Sequence, residues 1–129
     1  MHLLAERSEI KRMDGTNKTI IVVEDELLVA MMIEEMLEEV GWRSIGKAQN
    51  ENEALALLKL ARPDAALLDV NLGSTTSLSV AAACRALNIP VAFVTGFIAR
   101  DLPPECGNAP ILPKPFSLVE LSQTLARLA

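Results

Sequence analysis

Ala65-Ala66-Leu67-Leu68-Asp69 is the stretch on which the fold turns. Four apolar residues in a row, closed at once by a carboxylate, have the length and character of a strand buried on both faces. Thr19-Ile20-Ile21-Val22-Val23, upstream, is the same kind of run in β-branched residues, and it ends on Glu24-Asp25. Pro90-Val91-Ala92-Phe93-Val94-Thr95, downstream, repeats the pattern and ends on a hydroxyl. Two weaker strands complete the set, over Arg43 to Lys47 and over Ala109-Pro110-Ile111-Leu112, the second followed by Pro113-Lys114-Pro115.

Helical patterns fill the intervals. Val29, Met32, Ile33, Met36, Leu37 and Val40 recur at helical spacing, with Glu34, Glu35, Glu38 and Glu39 on the other face and Gly41 as the stop. Asn50, with Glu53 three residues on, predicts a capping box for a helix striped by Ala54, Leu57, Leu58 and Ala61 and ended by Pro63. Val80, Cys84 and Leu87 mark a third helix. Ser117 and Glu120 cap a last one striped by Leu118, Leu121, Leu125 and Leu128. Residues 96–108 hold Gly96, Pro103, Pro104 and Gly107, so a fourth helix between these two is expected to be short or irregular.

Strands alternating with helices predict one parallel sheet covered on both faces. Right-handed crossovers then bring every strand's C-terminal end to one edge, where ligands bind in such sheets. The 129 residues make one domain, and half of them are apolar, enough for a proper core. Residues 1–18 are expected to be a flexible leader and 19–129 the folded domain. A net charge of −5 argues against a nucleic-acid surface. No apolar run is long enough for a membrane span, and the charged N-terminus does not resemble a secretory signal. Cys84 and Cys106 lack metal-ligand spacing and are expected to be reduced thiols of a cytoplasmic protein. His2 is the only histidine, which disfavours a His-based triad or zinc site.

The topology places Glu24, Asp25, Asp69, Thr95 and Lys114 together. Singly, each has an ordinary explanation as a helix cap, a strand end or a solvated lysine. Together, three convergent carboxylates repel one another, and a hard divalent cation such as Mg²⁺ relieves that repulsion. With a cation, a hydroxyl and an ammonium at hand, one carboxylate is free to act as a nucleophile toward phosphorus.

In these residues the sequence resembles the receiver domain of two-component response regulators, over about residues 19–128. The resemblance implies a flavodoxin-like α/β fold: a doubly wound five-stranded parallel sheet of order 2-1-3-4-5. It implies Asp69 as phosphoacceptor, Asp25 as direct metal ligand, Glu24 as its acidic partner and Asn71 as donor of a backbone carbonyl to Mg²⁺. Thr95 and Lys114 would each meet a phosphoryl oxygen, and small Gly96 would leave the acceptor accessible. Lys114-Pro115 falls where receivers carry a cis peptide. The implied partner is a sensor histidine kinase. With the chain ending at Ala129, no output domain is expected, and the downstream protein target is not named by the sequence.

Two departures matter. Receivers often carry Tyr or Phe three residues before the lysine; here that residue is Ile111. The run Phe93-Val94-Thr95-Gly96-Phe97, with Asp69-Val70-Asn71-Leu72-Gly73, resembles a subgroup bearing a Phe-Ala-Thr-Gly-aromatic signature ("FAT GUY"), served by kinases of the HWE or related class. Switching would then be carried by Thr95, Gly96, Phe97 and the segment after them. The domain would be no turnover enzyme, only an acceptor assisting its own phosphorylation and dephosphorylation. Two other readings compete. A haloacid-dehalogenase-like phosphatase also uses an Asp nucleophile and Mg²⁺, but in an Asp-x-Asp pattern after its first strand, where this chain has Glu-Asp-Glu. A pseudo-receiver would bind a partner without chemistry, against which the full residue set argues.

Overall fold

The computed structural model describes residues 18–96 and 102–128. In chain order these form β1 (Lys18–Val23), α1 (Leu27–Glu39), β2 (Trp42–Ala48), α2 (Glu51–Leu60), β3 (Ala65–Asp69), α3 (Leu78–Ala86), β4 (Val91–Thr95), β5 (Ile111–Pro113) and α4 (Leu118–Ala126). The strands make one parallel sheet of order β2-β1-β3-β4-β5, the order that the receiver resemblance implies. Residues 1–17, and with them nearly all of the expected leader, lie outside the described residues.

Period-two alternation sorts the side chains of the inner strands. Ile20 and Val22 of β1, Ala65 and Leu67 of β3, and Ala92 and Val94 of β4 pack with Ala30, Ile33 and Leu37 of α1 and with Leu121 and Leu125 of α4. Ile21, Val23, Ala66, Leu68, Val91 and Phe93 point the other way, onto Ala54 and Leu58 of α2 and Val80 and Cys84 of α3. The β3 run is apolar without a break because helices cover it on both sides.

The helix ends follow local chemistry. Gly41, at φ 92, lets the chain leave α1 in a conformation that side chains with a Cβ rarely adopt. Ser117 and Glu120 form the expected reciprocal capping box at α4. The box expected at α2 is only half formed: Asn50 accepts the Glu53 N–H, but the Glu53 carboxylate accepts the N–H of Gln49 instead.

Several strand boundaries differ from the sequence reading; β1 begins at Lys18, inside the expected leader, and β4 at Val91. β2 runs two residues longer, from Trp42 to Ala48, with a register shift opposite Ile20 and Ile21. β5 begins at Ile111, not Ala109, because the N–H of Phe93 is met by the Pro110 carbonyl and pairing proper starts after it. A ribbon of two short antiparallel strands, Asn71–Leu72 and Thr75–Thr76, stands between β3 and α3. In the segment expected to be an irregular fourth helix, the described residues hold one 3₁₀ turn, Pro104–Cys106. Cys106 of this turn is buried in the core, and the Arg85 guanidinium donates to the carbonyls of Glu105 (3.0 Å) and Cys106 (3.1 Å).

Candidate functional site

The parallel strands end on one edge, and that edge holds the residues singled out from the sequence. Glu24 follows β1, and its N–H donates to the Ala48 carbonyl of β2 at 2.9 Å. This continues the sheet one residue and turns the carboxylate inward, where Glu24 is only 1% exposed. One of its oxygens accepts the Glu26 N–H at 3.1 Å; the other accepts from Lys114 Nζ at 2.8 Å. Asp25, the next residue, is exposed at the rim.

Asp69 closes β3 and is 8% exposed. Its Oδ1 accepts the Asn71 N–H at 3.2 Å and its Oδ2 accepts from Lys114 Nζ at 2.7 Å. The same ammonium thus bridges two buried carboxylates. Thr95 closes β4 and is buried, and its carbonyl accepts the Lys114 N–H at 2.8 Å. That bond carries the lysine to the end of β5, and the Lys114–Pro115 peptide beyond it is cis, as expected for that position.

Each of Glu24, Asp25 and Asp69 offers an oxygen within 4.8 Å of the others. Among the described residues, three carboxylates share one bonded ammonium, which leaves the cluster net negative. Desolvation at this crowded edge, and then the Glu24 carboxylate, hold the Asp25 carboxyl above its ordinary range. Burial alone would pull the Lys114 ammonium down, but its hydrogen bonds to Asp69 and Glu24 outweigh that and hold it above its ordinary value. The all-oxygen donor set, two of its members on buried side chains, fits a hard divalent cation of the Mg²⁺ kind.

Asn71 sits two residues past Asp69 with its side chain exposed, on the first strand of the ribbon. Gly73, in the ribbon turn, has a positive φ of 74°, and a Cβ built on it would lie 3.7 Å from Asp25 Oδ2. The ribbon therefore overhangs the acidic cluster. Gly96 is exposed, and a Cβ there would meet nothing within 4 Å among the described residues. Packing among the described residues therefore does not require its smallness. Ile111 is half-buried, pairs in register with Phe93 and packs on the α2/α3 side of the sheet. Phe97, the remaining residue assigned to switching, lies outside the described residues.

Sequence reasoning missed two features. One is the backbone hold on the carboxylates by the N–H groups of Glu26 and Asn71, which no side-chain pattern announces. The other is an apolar cleft of about 710 Å³ between α1 and the chain after β5, lined by Val29, Met32, Met36, Pro115 and Phe116 with Lys114 and Glu26 at its polar end. Of the large apolar residues that α1 exposes, Leu27, Leu28, Met31 and Met32, only Met32 lines this cleft. The signal was present, since the α1 apolar stripe is wider than one buried face requires.

Residues 20–126 match the response regulator receiver domain family. The transcriptional regulatory protein PdtaR of Mycobacterium tuberculosis is 32% identical over 108 residues, which are 81% of this chain and 53% of that protein. The phyllosphere-induced regulator PhyR of Methylorubrum extorquens is 31% identical over 112 residues, 84% of this chain and 42% of that protein. The chain thus spans about half the length of these curated relatives. Among solved structures, SdrG from Sphingomonas melonis Fr1 superposes with a TM-score of 0.77 at 37% identity, covering 88% of this chain and 97% of that one.

Proposed function

Because the chain belongs to the response regulator receiver family, we propose that it is the phosphoacceptor of a two-component relay and takes its phosphoryl group on Asp69 from a histidine kinase. The observation that carries the reading is the surroundings of Asp69: a nearly buried carboxylate at a strand end, 2.7 Å from an ammonium and grouped with two further carboxylates.

The chain's own groups account for the transfer. Asp69 attacks phosphorus as the carboxylate, and the P–N bond of the donor's phosphohistidine breaks as the P–O bond forms. The Asn71 N–H and Lys114 hold the attacking group in a fixed orientation beforehand, so little reorganisation remains for the reaction itself. Lys114 then follows the charge from Asp69 to a phosphoryl oxygen, and the Thr95 hydroxyl takes another. Glu24 and Asp25, with Asp69 and the Asn71 carbonyl, would hold Mg²⁺, which when bound supplies positive charge to the phosphoryl oxygens. Gly96 leaves the approach open.

The apolar cleft adjoins the site through Lys114, which lines both, and is the surface on which a donor domain would dock. The exposed α1 residues Leu28 and Met32 are the contact it would bury. The Phe-Val-Thr-Gly-Phe run supports assignment to the FAT GUY subgroup and a kinase of the HWE or related class. The domain acts in the cytoplasm, where such kinases present their phosphohistidine, and performs no turnover of its own beyond losing its phosphoryl group. Phosphotransfer profiling against a panel of purified histidine kinases tests the reading. One kinase should label the wild type within seconds to minutes and fail on Asp69→Asn. Equal labelling of both proteins would reject Asp69 as acceptor.

A further inference from the structure

α2 and α3 pack on the same face of the sheet, and the seam between them is left open. A cleft of about 570 Å³ runs along it, with Leu55, Lys59 and Arg62 on one side and Ala83, Ala86 and Leu87 on the other. The composition of α3 explains the opening. Ala83 and Ala86 border the cleft, and a methyl group is too short to close it.

The charge along the cleft is of one sign. Lys59, in the last turn of α2, and Arg62, just past its end, are both exposed. Among the described residues neither is in a salt bridge. α3 has no carboxylate. The two carboxylates of α2 stand in its first turn and are engaged there: Glu51 accepts from the Ser79 hydroxyl, and Glu53 from the Gln49 N–H. Asp64, beyond Arg62, accepts from the N–H and hydroxyl of Thr19. Arg85, the remaining charge on α3, donates to the 3₁₀ turn. A chain of net charge −5 thus keeps an apolar cleft with a basic edge.

The occupant follows from shape and charge. An aliphatic trough between two helices suits a third helix with an apolar stripe. The basic edge favours one whose flanking residues are acidic and disfavours a basic one. A second copy is a poor occupant, because a twofold pairing of this face would bring two basic edges together. The face is also the reverse of the one carrying the cleft beside Lys114, since α1 and α4 cover the other side of the sheet.

We infer that the α2–α3 cleft is a docking site for an acidic amphipathic helix of a partner protein, separate from the surface that meets the phosphoryl donor. It goes beyond the phosphoacceptor reading and does not depend on it.

NMR titration of this chain tests it. The probe is a helix-forming peptide with leucines at every third or fourth position and glutamates between them; its twin carries lysines in place of the glutamates. The acidic peptide should shift the amides of Leu55, Lys59, Ala83, Ala86 and Leu87, and the lysine twin should not. Lys59→Glu combined with Arg62→Glu should weaken binding about tenfold, what two exposed charge contacts give when reversed. Ala86→Gln, which fills the cleft from an exposed position, should weaken it without changing the charge. Both variants should be labelled by acetyl phosphate, and by the cognate kinase, at the wild-type rate. Absence of binding, equal binding of the two peptides, or unchanged affinity in the charge-reversed variant would overturn the site. Shifts centred on Met32 and Phe116, or slower labelling by the kinase alone, would make this the donor's surface and overturn it as well. Self-association of the peptide-free chain through the same residues would give the cleft to a second copy instead.

Discussion

Asp25 and Asp69 are both strand-end aspartates, but their surroundings separate them. Asp69 is nearly buried with both oxygens bonded, whereas Asp25 is exposed at the rim, crowded by Glu24 and, among the described residues, in no salt bridge. That contrast fits Asp69 as nucleophile and Asp25 as the group that gains most from a cation. Asp25→Ala should therefore abolish most of the thermal stabilisation by Mg²⁺ while leaving the metal-free protein as stable as the wild type or more so; isothermal titration with Mg²⁺ checks the first half and thermal melts the second. Lys114→Ala should act in the opposite sense. It strips two buried carboxylates of their common partner, at a cost of about 2 kcal/mol, below the full figure for a buried pair because solvent reaches the lysine. The variant should still bind Mg²⁺, and added Mg²⁺ should recover more stability than in the wild type. Urea unfolding with and without the metal measures both; an unchanged Mg²⁺ gain would show that Lys114 does not offset the carboxylate cluster. The identities of these residues were legible because a strand-end carboxylate in a parallel sheet has one edge to occupy. Which of Glu24 and Asp25 turns inward was not legible, since alternation stops where the strand stops and a backbone bond to Ala48 decides it.

Among the elements, α1 and the 3₁₀ turn make separate predictions. Met32 of α1 lines the cleft beside Lys114 and is 51% exposed, and Leu28, one turn before it, is 79% exposed. Leu28→Asp or Met32→Asp should slow phosphotransfer from the cognate kinase by tenfold or more, roughly what one lost contact residue costs, and leave labelling by acetyl phosphate unchanged. Slowing of both donors would place the damage in the site and not in docking. The turn at Pro104–Cys106 buries Cys106, while α3 buries Cys84, whose thiol is pushed by burial up to about 11. Thiolate is the reactive form, so Cys84 stays protonated at neutral pH and gains reactivity only as pH approaches that value. Cys106 sits at the end of a turn that two Arg85 hydrogen bonds help to hold against α3. Arg85→Ala should speed alkylation of Cys106 at neutral pH several-fold and leave Cys84 unreactive, as peptide mapping of iodoacetamide adducts would show. Equal acceleration at both cysteines would mean global opening. The long strands and amphipathic helices were readable from periodicity. The Asn71–Thr76 ribbon was not, because two-residue strands carry no period, although Gly73 followed by Thr75-Thr76 has turn and strand character. The start of β5 was misplaced because Pro110 offers only a carbonyl to the sheet.

Over the whole molecule, β1, β3 and β4 form a core covered on both faces, and the chain beyond β1 and β3 brings Glu24, Asp25 and Asp69 together. The fold is held by that core, while the site is a local cluster of like charge that the core can tolerate. A ligand that binds only the folded state adds to stability by mass action, so Mg²⁺ at a hundredfold excess over its dissociation constant should add about 2.7 kcal/mol. An unchanged melting temperature with and without Mg²⁺ would contradict the metal site. The sheet order was legible from the alternation of elements and the receiver resemblance together, whereas the neighbourhood of Thr95 that includes Phe97 lies outside the described residues. The central claim is that Asp69 accepts the phosphoryl group. Its most direct measurement is peptide mass spectrometry of the protein treated with acetyl phosphate and Mg²⁺, with borohydride trapping of the acyl phosphate. The account predicts a single trapped residue, Asp69, and no trapping in Asp69→Asn; trapping at Asp25 or Glu24, or none in a folded wild type, would contradict it.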